Sequence, residues 1–393
     1  MVSEGIAAPV SATERMDLLD GLRGFALLGI LLANIDYWSG WLFLTPDQAA
    51  ALAGSTQAHL QHFLHKLLID GKFYTIFSLL FGLGFTLQLS RLERRGANGI
   101  AIFRRRLFVL LAIGLVHLWL IWDGDILTLY ALLVLLLPLV RHWSERRLLT
   151  AAALLLLLPL LAAPLLKAAG INPGMPFYAI GGMVAGTQGL EMGGEVAWLA
   201  RSDWQSHLVW LESGGFFRIA MLLEWWRVPK VLGIMLIGMV LGRRLVAGTL
   251  LSDTRLLRWT LFWGLLIGLP FSLLYAIGDS GQDGPWATIG TAPLGFAYAA
   301  AFALLWPHLR ALRVFVGPGR MALTNYLMHS VLGITIFYGI GFGLVGTMPP
   351  LGFYGVALAI YAFQILFSWL WLARFDQGPL ERLWRLATYG RGV

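Results

Sequence analysis

A histidine followed by two aspartates is the part of this chain best suited to acid–base chemistry. His117 lies in an apolar run, Asp123 and Asp125 follow it, and Tyr130 comes about one helical turn later. An imidazole beside a carboxylate can act as a general base, because the carboxylate orients the ring and stabilises its cation. We therefore interpret His117 as a catalytic base held by Asp125 or Asp123, with Tyr130 as a substrate contact. The alternative is a histidine that bonds a backbone carbonyl, with Asp125 as the N-cap of the next helix.

Charged residues at the start of the first apolar stretch form a second candidate site. Asp20 and Arg23 are three residues apart and can pair on one helix, and Asn34 follows Arg23 by eleven residues on the same face. Charge at the end of a membrane span is costly unless it is paired or functional. We interpret Asp20 and Arg23 as ligand-binding residues and Asn34 as a catalytic hydrogen-bond donor. The alternative is a structural ion pair together with an asparagine that packs between helices.

Two further segments place polar side chains at membrane depth. Lys72, at the outer start of an apolar stretch, can neutralise an anion or simply extend to the interface. Arg320 follows a glycine-rich turn at a helix start, where backbone N–H groups and a guanidinium suit a phosphate. Asn325, His329 and Ser330 then line one helical stripe, so we expect Arg320, Asn325 and His329 to contact substrate or cofactor.

The elements that position these side chains are membrane helices. The chain has 393 residues, of which 58% are hydrophobic and only 13% are charged, whereas soluble domains carry about a quarter charged residues. We predict an all-α polytopic membrane bundle of about ten transmembrane helices, because each apolar run is close to the length that crosses a bilayer. The runs are roughly 17–37, 71–90, 104–122, 125–141, 148–168, 227–244, 256–277, 288–307, 320–345 and 351–373.

The basic residues predict the orientation of the bundle. The net charge is +8, but the arginines fall in short clusters between apolar runs, which argues against nucleic acid and follows the positive-inside rule of an inner-membrane protein. We therefore predict that both termini lie in the cytoplasm of a bacterial cell. The cytoplasmic clusters are then Arg15; Arg91, Arg94, Arg95, Arg104, Arg105 and Arg106; Arg141, Arg146 and Arg147; Arg243, Arg244, Arg255 and Arg258; Arg310, Arg313 and Arg320; and Arg374, Arg382, Arg385 and Arg391.

The whole chain, 1–393, reads as a single membrane domain. Residues 17–168 carry the N-terminal helices, 169–226 form an interfacial segment at the outer face, and 227–393 carry the C-terminal helices. With no cysteine, the chain cannot form a disulfide or a thiolate metal site. The three histidines at 59, 62 and 65 fit a wet helix face better than a metal site, so we predict no metal.

Several long motifs together resemble the YeiB-like family of bacterial membrane proteins, also called domain of unknown function 418. The resemblance covers nearly the whole chain and departs from the family pattern at His329, where glutamine is common, and at Arg382, where tryptophan is usual. The motifs are Asp20-Gly-Leu-Arg23-Gly-Phe-Ala, Lys72-Phe-Tyr-Thr-Ile-Phe-Ser-Leu-Leu-Phe-Gly-Leu-Gly-Phe, Gly114-Leu-Val-His117, Gly124-Asp-Ile-Leu, Gly233-Ile-Met-Leu-Ile-Gly-Met-Val-Leu-Gly-Arg, Gly319-Arg-Met-Ala-Leu-Thr-Asn-Tyr-Leu and Gly378-Pro-Leu-Glu381-Arg-Leu-Trp384-Arg385.

The family in turn is similar to the transmembrane acyltransferases, which include the lysosomal heparan glucosaminide N-acetyltransferase. That enzyme also opens with an Asp-x-x-Arg-Gly helix and an asparagine at the spacing found here between Arg23 and Asn34. Its catalytic histidine lies about a dozen residues further on, where this chain has Thr45 nearby, so that role does not transfer. The resemblance implies transfer of an acyl group from cytoplasmic acyl-CoA to an acceptor at the outer face.

We therefore expect a membrane acyltransferase with acetyl-CoA or another acyl-CoA as co-substrate and a carbohydrate or other small acceptor. Arg23 and Arg320 would meet the CoA phosphates, and Asn34 and Asn325 would donate to the developing oxyanion. The bilayer is the other partner, and the sequence leaves a homodimer open. A transporter or flippase of a small or lipid-linked substrate is the main alternative, since buried charges also mark ion pathways, although no internal repeat is visible. An accessory subunit without chemistry is the third.

Overall fold

A computed structural model describes residues 17–94, 99–191, 193–250 and 253–390, and every regular element in these ranges is helical. This confirms the all-α class for the described part of the chain. Arg15, Arg95 and Arg391, which were placed in the cytoplasm above, lie outside it.

The α-helices are α1 (Asp17–Trp38), α2 (Pro46–Ala53), α3 (Ser55–Leu64), α4 (Lys72–Arg94), α5 (Gly99–Leu120), α6 (Leu127–Val134), α7 (Glu145–Ala168), α8 (Met175–Thr187), α9 (Glu195–Leu199), α10 (Trp204–Glu224), α11 (Arg227–Val246), α12 (Thr254–Ile277), α13 (Pro285–Leu305), α14 (Val316–Arg320), α15 (Ala322–Phe337), α16 (Pro350–Leu372) and α17 (Pro379–Tyr389), and a π-helical turn (His65–Ile69) precedes α4.

Within the described ranges, six helical segments are long and apolar enough to cross a membrane. They are α1, the run Ser55–Arg94 that ends in α4, and helices α7, α12, α13 and α16. The runs predicted at 104–122 and 227–244 correspond to α5 and α11, which carry several basic residues. The run at 125–141 contains α6 and a following 3₁₀ turn (Leu137–Val140), the run at 320–345 contains α15, and both are shorter apolar helices. The structure thus supports a polytopic helical membrane protein. The number ten and the cytoplasmic termini stay predictions.

Helices α7, α12 and α16 expose the apolar surface expected of a membrane protein. Leu161 on α7 is 73% exposed, and Trp263 on α12 and Trp369 on α16 are half exposed or more. Such large contiguous apolar faces are rare on soluble monomers, where they would drive aggregation. Lipid is the solvent that suits them, because it imposes no cost on an apolar surface.

Helix α1 lies at the centre of the bundle, where it contacts α4, α14, α15 and α16. Glycines allow its backbone to touch that of α14: a Cβ on Gly24 would collide with the carbonyl oxygen of Phe315, and a Cβ on Gly319 would collide with that of Asp20. Small residues permit such close helix contacts in membranes. This contact brings the Asp20–Arg23 turn beside Arg320.

A second glycine contact joins α4 to α11. A Cβ on Gly82 would collide with the carbonyl oxygen of Met235, and a Cβ on Gly238 would collide with the carbonyl oxygen of Leu79. The two helices therefore lie backbone against backbone. Gly84, only two residues after Gly82, has open space at the Cβ position.

The glycine pair on α4 provides a matched stability test. Gly82→Ala is expected to lower the free energy of unfolding by about 1–3 kcal/mol, because one methyl group must push two backbones apart. Gly84→Ala makes the same chemical change in open space, and we expect it to be neutral or to stabilise the helix by up to about 1 kcal/mol. Thermal unfolding in detergent, followed by tryptophan fluorescence, measures both. Equal melting temperatures for the two variants would contradict the close contact.

The segment 169–226 forms a helical hairpin of α8 and α10, with the short α9 between them. The face of α10 buries Trp210, Ser213 and Gly214, and this helix packs against α5 and α11. The segment therefore contributes a buried helix to the same bundle. Its tryptophans alone do not reveal this, since they suit an interface equally well.

Candidate functional site

His117 lies at the centre of a buried hydrogen-bonded row of three side chains. Its Nδ1 lies 2.8 Å from Oδ1 of Asp125, and its Nε2 lies 2.9 Å from Oγ of Ser330. All three residues are at most 2% exposed. An ionised carboxylate only accepts hydrogen bonds, so Nδ1 carries the proton and Nε2 accepts the serine hydroxyl. The arrangement has the connectivity of a serine–histidine–aspartate triad, which is recognised by geometry and not by chain order.

Asp125 holds this row in place because its carboxylate is also fixed by backbone. It accepts the N–H of Leu127 at 3.0 Å and of Thr128 at 2.7 Å, at the start of α6. The Nε of Arg218 on α10 donates to the Asp125 carbonyl oxygen at 2.9 Å. Asp125 is thus a helix cap, as the alternative interpretation held, and a partner of His117 at the same time. The imidazole bonds side chains and not a backbone carbonyl.

Asp123 belongs to a different contact, although it stands only two residues before Asp125. It accepts a hydrogen bond from the hydroxyl of Tyr37 and lies 3.3 Å from Nε1 of Trp210, which also donates to it. Asp123 is 3% exposed. The structure therefore places Asp125, and not Asp123, against the imidazole.

Four aromatic side chains cover the row on the side of Asp123, and we call Tyr37, Trp38, Trp122 and Trp210 the aromatic cover. The rings of Trp122 and His117 are 6.1 Å apart, and those of Trp38 and Trp122 are 4.7 Å apart. Trp38 and Trp122 are both at most 2% exposed. In this conformation the cover separates His117 from that end of the bundle.

On the other side, a cavity of about 340 Å³ runs from the end of the bundle towards His117. At its deep end it is lined by Ile126, Tyr130 and Tyr326, and the ring of Tyr326 lies 5.2 Å from that of His117. The apolar part of the wall includes Ile30, Phe77, Leu80, Phe85, Leu107 and Leu110. Phe103, Leu107, Leu110 and His117 follow one face of α5, so the histidine continues the line of the cavity wall.

The mouth of the cavity is rich in arginine. Arg23 pairs with Asp20 at 2.5 Å, and the guanidinium of Arg106 lies 3.8 Å from the centre of the Trp384 ring. Arginine is the side chain best shaped to bind phosphate through two parallel hydrogen bonds. The charged residues that line the mouth are Asp20, Arg23, Arg91, Arg106, Arg320, Arg385 and Glu381. Apart from Arg23, these basic residues belong to the clusters assigned to the cytoplasm above.

The amphipathic helix α17 forms one wall of this mouth. The indole Nε1 of Trp384 donates to the carbonyl oxygen of Arg106 at 2.8 Å. Glu381 accepts the N–H groups of Leu323 and Thr324 at 2.7 and 3.1 Å and so caps α15. Burial raises the pKa of the Glu381 carboxyl, and the hydrogen bonds from Thr324 and Leu323 oppose that rise.

Asn325 and His329 turn away from the cavity towards α16. Nδ2 of Asn325 donates to the Pro318 carbonyl oxygen at 3.1 Å and to Ser368 Oγ at 3.0 Å, so both amide hydrogens are used. Nε2 of His329 lies 2.7 Å from Oε1 of Gln364. The expectation that Asn325 donates to an oxyanion therefore does not fit its contacts. Nor do these residues share one stripe with Ser330, which faces α5.

Asn34 and Lys72 also lie outside the site. Asn34 is half-buried on α1 and is neither a residue of the cavity wall nor a hydrogen-bond partner of His117 in the described structure. Lys72 is fully buried and donates from Nζ to the Lys66 carbonyl oxygen at 2.5 Å. The structure brings together His117, Asp125 and Tyr130 with the Asp20, Arg23 and Arg320 mouth.

The interpretation of the sequence missed several residues of the site. Ser330 was seen only as part of a polar stripe, and Arg218 stands in a segment read as interfacial. Tyr326 and Arg385 stand in the family motifs above, and Arg385 was placed among the cytoplasmic arginines, but neither was predicted to line a site. The strongly amphipathic pattern of α17 is a further signal. The sequence carries no signal that Ser330 contacts the histidine, because the packing of α15 decides which way each of its side chains points.

Comparison with known proteins places the chain among relatives of bacterial origin. Residues 241–391 match the family model described as "Protein of unknown function (DUF418)". The chain is 31% identical to the uncharacterized protein YxaH of Bacillus subtilis (strain 168), over 97% of this chain and 96% of the relative. It is 30% identical to the uncharacterized protein YeiB of Escherichia coli (strain K12), over 95% of this chain and 96% of the relative.

Proposed function

Because this chain belongs to the YeiB-like DUF418 family, and because its buried histidine adjoins an arginine-mouthed cavity, we propose that it is a membrane-embedded acyltransferase. It moves an acyl group, in our proposal acetyl, from cytoplasmic acyl-CoA to a hydroxyl or amine at the extracytoplasmic face of the bacterial inner membrane. The acceptor is a carbohydrate or another small molecule. The single observation that carries the proposal is the alignment of arginine mouth, apolar cavity and His117 along one line.

The cavity suits a whole acyl-CoA better than it suits the nucleotide alone or the pantetheine arm alone. Its mouth offers guanidinium groups to the nucleotide phosphates, and its apolar wall suits a pantetheine arm. Arg106 and His117 are eleven residues apart on α5, a rise of about 16 Å along a helix. An extended arm can cover that length. The thioester would then lie beside Tyr326, whose ring is 5.2 Å from that of His117, and in our proposal the acyl group is short.

The residues at the deep end supply base and oxyanion chemistry. Nε2 of His117 takes a proton from the attacking hydroxyl, and Asp125 stabilises the imidazolium that forms. Tyr326 accepts the N–H of Ile126 at 3.3 Å, which orients its phenol and leaves the O–H to be donated. A positioned donor of this kind is a better oxyanion candidate than Asn325. Such a donor typically contributes about 3–4 kcal/mol in the transition state.

Binding measurements can test whether the arginine mouth holds the phosphates of the acyl-CoA donor. Purified protein is expected to bind acetyl-CoA more tightly than acetyl-pantetheine, which lacks the nucleotide phosphates. Arg385→Gln is expected to weaken acetyl-CoA binding about tenfold, since a hydrogen bond to a charged group contributes about 1.5–3 kcal/mol. The same change should leave acetyl-pantetheine binding unaltered. Isothermal titration calorimetry in detergent measures both ligands.

Arg382 provides the matched control for this test. It lies on the exposed side of α17, three residues before Arg385 and outside the cavity wall. Arg382→Gln removes the same charge and is expected to leave both affinities unchanged. If Arg382→Gln and Arg385→Gln lost acetyl-CoA affinity equally, the loss would reflect the overall positive charge of this region and not a contact between Arg385 and the phosphates. Absence of acetyl-CoA binding, together with substrate uptake into proteoliposomes without acyl-CoA, would favour a transporter instead.

A further inference from the structure

Ser330 makes an unusual contact for a serine in a membrane helix. Two other buried serines each bond a carbonyl oxygen four residues earlier in their own helix: Ser78 Oγ bonds Tyr74 at 2.7 Å and Ser213 Oγ bonds Val209 at 2.9 Å. That is the ordinary way for such a residue to satisfy its hydroxyl. Ser330 instead reaches across to Nε2 of His117, which is 213 residues away in the chain.

The position of Ser330 is also suited to chemistry. It follows Tyr326 by four residues on α15, so it lies one turn beyond the tyrosine that lines the deep end of the cavity. Its Oγ faces the nitrogen that Asp125 leaves unprotonated. A serine hydroxyl beside an imidazole base that is oriented by a third group is the signature of an activated nucleophile.

We propose that Ser330 is the first acceptor of the acyl group, so that transfer proceeds through an acyl-serine. The proposal rests on the acyltransferase function above. Oγ of Ser330 attacks the thioester carbonyl carbon while its proton passes to Nε2 of His117. The carbon–sulfur bond breaks, and the CoA sulfur leaves with that proton as a thiol. The acceptor hydroxyl or amine then gives its proton to Nε2 and attacks the ester, which returns Ser330 to its protonated form.

Transfer in two steps agrees with the different surroundings of His117 on its cavity side and on its aromatic-cover side. The cavity runs from the arginine mouth to Tyr326, whose ring lies 5.2 Å from that of His117, whereas the aromatic cover (Tyr37, Trp38, Trp122 and Trp210) lies on the opposite side. With an acyl-serine, CoA can leave by the mouth before the acceptor enters. Donor and acceptor then never need to occupy the buried site together.

Exchange without an acceptor tests this step directly. The wild-type protein is expected to exchange labelled CoA into acetyl-CoA in the absence of any acceptor, which only a covalent acyl-enzyme allows. Ser330→Ala is expected to lower the exchange rate by about 10³-fold or more, with acetyl-CoA affinity unchanged by calorimetry. Ser272→Ala is the matched control, because Ser272 is equally buried but lies on α12, away from the cavity wall.

A cysteine variant keeps the test informative if Ser330→Ala fails to fold. The chain has no cysteine, so Ser330→Cys introduces a single thiol. Acetyl-CoA is expected to convert it to a thioester, which blocks alkylation until hydroxylamine releases the acetyl group. In the wild type, an acid quench with acetyl-CoA should leave the acetyl group on the α15 peptide by mass spectrometry.

Each other outcome decides against the acyl-serine. Exchange that persists in Ser330→Ala but is lost in His117→Ala would assign the acyl group to the imidazole. Acetyl transfer to an acceptor without any exchange would show direct transfer, and the proposed function would stand without this intermediate. Failure of the wild type to bind or consume acetyl-CoA would overturn the function and the intermediate together.

Discussion

Replacing His117 by alanine is expected to abolish acyl transfer while leaving the donor bound. The imidazole is the only described side chain bonded to both Asp125 and Ser330, so its loss removes the base and disconnects the other two. General-base catalysis of this kind contributes about 10²–10⁴-fold, and we expect a loss near the upper end of this range. Release of the CoA thiol, followed with a chromogenic disulfide, measures the rate. A thiol-blocked envelope extract serves as the acceptor.

The assay suits this protein because the chain itself has no cysteine to react with the reagent. His207→Ala is the matched control, since His207 is 6% exposed on α10 and packs against the rings of Trp204 and Tyr338. We expect that control to keep its turnover. Wild-type turnover in His117→Ala, with acetyl-CoA bound, would remove the histidine from the mechanism.

Changing Asp125 to asparagine is expected to cost about 10³–10⁴-fold in turnover without unfolding the site. The amide oxygen can still accept a backbone N–H at the start of α6, so much of the helix cap remains. The amide nitrogen, however, presents hydrogens to Nδ1 of His117. The imidazole must then carry its proton on Nε2, where it can no longer accept the proton of Ser330.

Two variants separate this proton effect from the loss of a helix cap. Asp203→Asn makes the same change at the exposed N-cap of α10, where Asp203 accepts the Ser206 N–H at 2.8 Å. It is expected to leave turnover unchanged. Asp123→Asn removes a carboxylate that bonds Tyr37 and Trp210, so its effect on turnover should be smaller than that of Asp125→Asn. If Asp123→Asn lowered turnover more than Asp125→Asn, our mechanism would have assigned the partner of His117 to the wrong aspartate.

The class of the protein and the pair at its centre could be predicted from the sequence. Apolar runs near the length of a bilayer define the helices, because backbone polar groups in lipid must be satisfied within the helix. His117 and Asp125 are eight residues apart, on either side of one tight connection between α5 and α6. Local chain geometry brings such neighbours together, so their pairing needed little knowledge of the rest of the fold.

The contacts between distant helices could not be predicted in the same way. Successive residues on a helix point about 100° apart, so a small rotation decides which neighbour each side chain meets. On α15 this rotation sends His329 to Gln364 and Ser330 to His117. The same rule turns Asn325 towards α16. No local pattern in the sequence distinguishes these outcomes.

By itself, the sequence determined a helical membrane protein of the YeiB-like type, a histidine–aspartate pair and an excess of arginine between the apolar runs. Tertiary structure alone decided that Asp125 and not Asp123 binds the histidine, that Ser330 and Arg218 join them, and that Arg385 on α17 lines the mouth. The reason is physical. Membrane insertion and helix formation depend on near neighbours in the chain, whereas the composition of a buried site depends on how finished helices pack.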